Sequence, residues 1–199
     1  MSLLFETIRI SGGVPMHLGW HNLRVNRSRN EFWDRPDPID LHPLIKIPGE
    51  FRTGLVACNV YYGKEIGQIT FRKYLKNEIL TLRLVDSGGI DYHVKYTDRS
   101  GLDLLMSKRG ECDDIVIVKN GYLADTSISN LVFFNGTDWI TPEKPLLAGV
   151  TRERLLAEGR IRTGNIRVTD LDQYMGCKLI NAMRYPEEET LIPVRSVFR

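Results

Sequence analysis

The sequence predicts an α+β fold built mainly on antiparallel sheet, and three observations predict it. Three runs of strand-forming residues, 54–62, 66–74 and 79–85, follow one another with turn residues at Gly63-Lys64 and Lys76-Asn77, which reads as a meander. Two Asn-Gly pairs, Asn120-Gly121 and Asn135-Gly136, each stand between apolar strand residues and mark hairpins. Helical patterns are confined to a few stretches, the longest near residues 20–33.

Taken in order, "LLFETIRISGGVP" reads as a strand entering a tight turn at Gly12-Gly13. "WHNLRVNRSRNEFW" has no breaker and carries Leu23, Val25 and Phe32, so it reads as a helix. "DRPDPIDLHPLIKIPGE" is proline-rich and irregular, with one helical turn after Asp40. After the three strand runs, "DYHVKYTDRSG" alternates Tyr92 and Val94 with His93 and Lys95 and reads as a short strand. Asp98 then stands where a cap would start a helix carrying Leu102, Leu104, Leu105 and Met106. Beyond the hairpins come a helix from about Thr151 to Gly159 and short strands near 166–168 and 178–182.

Of the 199 residues, 42% are hydrophobic and 26% charged, the balance of a globular chain that can bury a core. A net charge of +2 gives no electrostatic reason for nucleic acid or membrane as a partner. Cys58, Cys112 and Cys177 form no CxxC pair and no disulfide framework. The N-terminus is too short and too charged for a signal peptide, and no apolar run reaches spanning length, so a reducing cytoplasm is expected. The sequons at Asn26 and Asn135 are then chance matches.

Walker, GxGxxG, HExxH and GxSxG patterns are absent. His17 and His21 have helical spacing, but Gly19 between them argues against a continuous helix, and no third metal ligand is evident. Five places remain, each with two readings. Lys95 at a strand-to-helix junction either points to solvent or is held half-buried as a nucleophilic amine. Gly149, Val150 and Thr151 form either an ordinary helix start or a phosphate-binding one. Arg24 lies either on a solvated helix face or where it can fork onto a phosphate. Asp125 interrupts a hairpin strand as a bulge residue or as a site carboxylate. Asn181 and Ala182 end an apolar strand as a plain loop or as part of a site.

In this order the segments "FETIRISGGVPMHLGWHNLRVNRSR", "DDIVIVKNGYLADTSISNLVFF", "LLAGVTRERLL" and "LINAM" resemble the class IV aminotransferases, the fold type IV pyridoxal-phosphate enzymes. The resemblance implies a D-amino-acid aminotransferase-like fold of two lobes, a smaller one over 1–88 and a larger cofactor-binding one over 89–199. It makes Lys95 the Schiff-base lysine, which would also shuttle protons, and puts Arg24 on the cofactor phosphate. The amides at Gly149, Val150 and Thr151 and the turn at Asn181-Ala182 complete the phosphate site. Asp125 stands beside the pyridine nitrogen, where the family usually has glutamate, and a pyridinium there would hold its carboxyl low. A strand hairpin that typical members carry before "FETIR" is missing, which implies a truncated N-terminal lobe. The implied activity resembles that of aminodeoxychorismate lyase, acting on a small-molecule substrate as a cytoplasmic homodimer. The alternatives are an aminotransferase for a small or branched-chain amino acid with a 2-keto acid acceptor, and a non-catalytic member of the fold.

Overall fold

The computed structural model describes residues 3–199, and their contacts divide the chain into two units. One runs up to Lys76 and takes in Val94–Asp98; the other comprises Asn77–His93 and Arg99–Arg199. The division falls after Lys76 and not at residue 88, because the strand at Leu82–Asp86 pairs with later strands.

In the first unit, β1 (Leu4–Ser11) turns Leu4, Glu6, Ile8 and Ile10 inward, so its period-2 alternation places one carboxylate among apolar side chains. Gly12 and Gly13, with φ of 57° and 78°, supply the turn to β2 (Val14–Pro15). Helix α1 (Leu18–Trp33) follows and runs unbroken through Gly19, so the glycine does not separate His21 from the preceding turn. Its buried face is His21, Arg24, Val25, Ser28 and Arg29, a stripe at helical spacing that is mostly polar, while Leu23 is exposed. β3 (Leu55–Tyr62) and β4 (Ile66–Lys73) complete an antiparallel sheet in the order β2-β1-β3-β4. Val94 packs into the core of this unit with Leu4, Ile8 and Val60.

The second unit begins with β5 (Leu82–Asp86), which does not continue the meander. Residues 74–81 form no tight turn, and β5 lies parallel to β6 (Asp114–Lys119) and to β13 (Val197–Phe198). Between them, α2 (Ser100–Met106) starts after Arg99, one residue beyond the expected cap at Asp98. β6 and β7 (Tyr122–Leu123) form the predicted hairpin, with positive φ at Asn120 and Gly121 as a type I′ turn requires. β8 (Asn130–Phe134) and β9 (Trp139–Pro142) form the second hairpin across a four-residue loop. Helix α3 (Val150–Ala157) closes at Gly159, whose φ of 66° ends it. The strand expected near 166–168 lies earlier, as β10 (Arg162–Gly164) parallel to β9, and 168–173 is a 3-10 stretch. β11 (Gly176–Ile180) pairs with β8 and with β12 (Ile192–Pro193), giving the order β10-β9-β8-β11-β12. Leu131, Phe133, Leu179 and Val116 fill the core beneath.

The architecture is α+β with largely antiparallel sheets, as expected. Among the described residues, no helix is long and apolar enough to cross a membrane, and no group of three His, Cys, Asp or Glu side chains could hold a metal ion.

Candidate active site

Lys95 is half-buried and does not lie on a strand. Residues 91–95 find no ladder partner; only Tyr96 bridges, to Leu4, and the Lys95 carbonyl accepts from the Phe5 amide at 3.0 Å. The Lys95 ammonium lies 4.4 Å from the centre of the Phe5 ring, a cation–π contact. The lysine is thus fixed by the edge of β1 and not by strand pairing.

On the inward side of β1, Glu6 is fully buried and gathers two side chains of α1. Arg24 donates Nε and Nη2 to its two oxygens at 2.8 and 2.6 Å, a fork-on-fork pair, and His21 Nδ1 lies 2.6 Å from Oε2. Burial alone would push the Glu6 carboxyl up, but Arg24 and His21 outweigh it and hold it at about 2. Arg24 therefore sits on no solvated face, and its bidentate edge is directed at a carboxylate of its own chain.

In the second unit the hairpin β6–β7 delivers Asp125, whose carbonyl accepts from the Ile117 amide. The chain then makes a short turn, closed by the Thr126 amide on the Ser129 carbonyl, and returns as β8 at Asn130. Asp125 is 5% exposed. Its Oδ1 accepts from Asn130 Nδ2 at 2.7 Å and its Oδ2 from the Leu147 amide at 2.9 Å. Burial pushes its carboxyl up to about 6, and these two donors with the charge of Arg152 only partly offset that. In the protein alone this carboxyl is high where the sequence reading has it low, because the cationic partner assumed there is a cofactor and not a side chain.

Gly149 caps α3, and Val150 and Thr151 are its first two residues, both buried. The first amides of a helix have no partner within it and face outward along the axis. Asn181 and Ala182 lie in a tight turn that the Asn181 and Arg184 backbones close with two hydrogen bonds. Asn181 donates to Ser129 Oγ at 2.9 Å, and its own oxygen accepts from the Met183 amide at 2.8 Å. The turn after Asp125 is held from a third side, where the Ser127 amide donates to Asp114 and its carbonyl accepts from Arg99.

The second unit thus draws Asp125, Gly149, Val150, Thr151, Asn181 and Ala182 onto connected backbone turns. Lys95 and Arg24 belong to the first unit. Sequence reasoning did not single out Glu6 or Asn130, and it weighed His21 as a metal ligand and not as a partner of Glu6. The inward alternation of Glu6 with Leu4 and Ile8 was the one signal for it; Asn130 offered none beyond opening a strand.

The amino-transferase class IV family profile matches residues 79–197. An uncharacterized protein of Haemophilus influenzae is 38% identical over 182 residues, which span 90% of this chain and 97% of that protein. A crystal structure from Haemophilus somnus, provisionally assigned as a 4-amino-4-deoxychorismate lyase, superposes with a TM-score of 0.85 at 34% identity and covers 92% of this chain and 97% of its own. A hypothetical aminotransferase of Mycobacterium tuberculosis in a PLP-bound form shares the fold, with a TM-score of 0.75 at 17% identity over 98% of this chain and 81% of its own. On the family match and these identities, the chain belongs to the class IV aminotransferases.

Proposed function

We propose that this chain is a pyridoxal-phosphate-dependent enzyme with aminodeoxychorismate lyase-like chemistry, forming 4-aminobenzoate and pyruvate by elimination. The observation that carries the reading is the near end-to-end likeness to the Haemophilus somnus structure. The donor set supports the cofactor. Asp125 is a buried carboxylate whose charge burial disfavours, and a protonated ring nitrogen is the kind of cation that would relieve it. Gly149 gives α3 a bare start, and the amides of Val150 and Thr151 suit a phosphate. Asn181 and Ala182 would supply the second phosphate turn. Arg24 fits less simply: Glu6 takes its fork, so it would serve the phosphate as a fixed positive charge.

When bound, pyridoxal phosphate supplies an electron sink. Lys95 Nζ would hold it covalently and carry a proton off and onto the substrate carbons. Asp125 would keep the ring nitrogen protonated. The same reading carries a homodimer, which sedimentation as a concentration-independent monomer would contradict. The deciding assay supplies aminodeoxychorismate without any keto acid. Release of 4-aminobenzoate and pyruvate supports the lyase; turnover only with an added 2-keto acid replaces it with an aminotransferase.

A further inference from the structure

Three parts of the candidate site meet on Asn130. Its side-chain nitrogen donates to Asp125 Oδ1 at 2.7 Å and to the Leu147 carbonyl at 2.8 Å. The Leu147 amide donates to the other Asp125 oxygen at 2.9 Å. Asp125, Asn130 and the Leu147 peptide close a ring in which each carboxylate oxygen has a donor. The orientation of the Asn130 amide is forced, since turning it over would set oxygen against two acceptors. Its oxygen faces Gly149, where a Cβ would come within 2.0 Å of it. Gly149 has extended angles, φ −71° and ψ 141°, so space and not conformation demands glycine there. Asn130 also opens β8, and its register partner Ile180 is followed directly by Asn181.

We propose that Asn130 is a positioning residue, which orients the Asp125 carboxylate and fixes the start of α3 so that both face one cofactor. This deepens the reading above and rests on it. A neutral amide suits the task, because it supplies two donors without neutralising the carboxylate.

The test pairs two measurements on Asn130→Ser and on the near-isosteric Asn130→Asp. Pyridoxal-phosphate affinity is read by absorbance, and the Asp125 carboxyl is followed by carbon NMR in the cofactor-free protein. Both variants should weaken affinity, by about tenfold for a lost hydrogen bond to a charged group. Both should also raise the Asp125 midpoint, while the charge of Arg152, which also acts on Asp125, is untouched. Gly149→Ala should weaken affinity as well, and adding Asn130→Ser should recover part of that loss by withdrawing the clashing oxygen. Additive effects of these two, or an unmoved midpoint in both Asn130 variants, overturn the assignment. If the unmodified protein binds no pyridoxal phosphate, the functional reading falls while the NMR titration still decides on Asn130.

Discussion

Both oxygens of the fully buried Glu6 are engaged by Arg24, at 2.8 and 2.6 Å. Taking either partner away strands a charge in the core. Arg24→Ala or Glu6→Ala should each cost about 3–5 kcal/mol in urea unfolding. A joint replacement by Leu at 6 and Met at 24 should cost far less, since no buried charge is left. If Arg24→Ala leaves stability unchanged, the pair is not formed in solution.

The same pair predicts an acid limb. The Glu6 carboxyl is held at about 2, below its ordinary 4.5, so its stabilisation is present above pH 4.5 and is lost as pH falls toward 2. The size is about 3 kcal/mol. Asp125 acts in the opposite sense. Its folded value of about 6 lies above the ordinary 3.8, so its contribution is present below pH 3.8 and is lost as pH rises through 6. The cofactor-free protein should therefore be most stable near pH 4–5 as far as these two groups decide. Unfolding free energies across pH 2–8 check this, and saturating pyridoxal phosphate should flatten the upper limb only.

Much of this fold was legible because its signals are local. The Asn120-Gly121 pair forms its hairpin through positive φ at both residues, a requirement met within the turn itself. The candidate positions Asp125 and Gly149 were legible as residues that break a pattern. What stayed hidden depends on distant partners. The run at 79–85 reads as another antiparallel strand, yet β5 pairs in parallel with β6 and β13, some of it over a hundred residues away in sequence. The buried stripe of α1 is polar apart from Val25, so of the apolar residues that marked the helix Val25 is buried while Leu23 is 64% exposed. The carboxylate on β1, which both side chains meet, explains why Arg24 and His21 face inward.

Lys95 gives the most direct chemical check. Borohydride reduction of protein loaded with pyridoxal phosphate should fix the cofactor on the peptide containing Lys95. Lys95→Ala should abolish this and leave the fold intact, because the backbone bond from Phe5 to residue 95 survives while the contact with the Phe5 ring is lost. That contact is worth about 0.5–1 kcal/mol at a partly exposed site. Labelling at another lysine would sink the assignment.

Asp125→Glu asks whether the short carboxylate is a device or an accident. The resemblance implies that Asp125 stands where class IV members usually carry glutamate. In this chain the carboxylate is clasped at both oxygens, by Asn130 and by the Leu147 amide. One more methylene would carry it past both donors and leave them facing the side-chain stem in a buried place. The cofactor-free protein should lose about 1–3 kcal/mol, the cost of unsatisfied buried polar groups. Turnover should fall too, since a carboxylate without its clasp no longer points one way. Asp125→Asn separates charge from shape. It sets a side-chain nitrogen against a donor and removes the charge, so turnover should drop by orders of magnitude while cofactor attachment at Lys95 persists. Activity kept or raised in Asp125→Glu would mean that the clasp is incidental and that a water spans the gap in the unmodified protein. Untouched turnover in both variants would make Asp125 a turn residue and move the ring partner elsewhere.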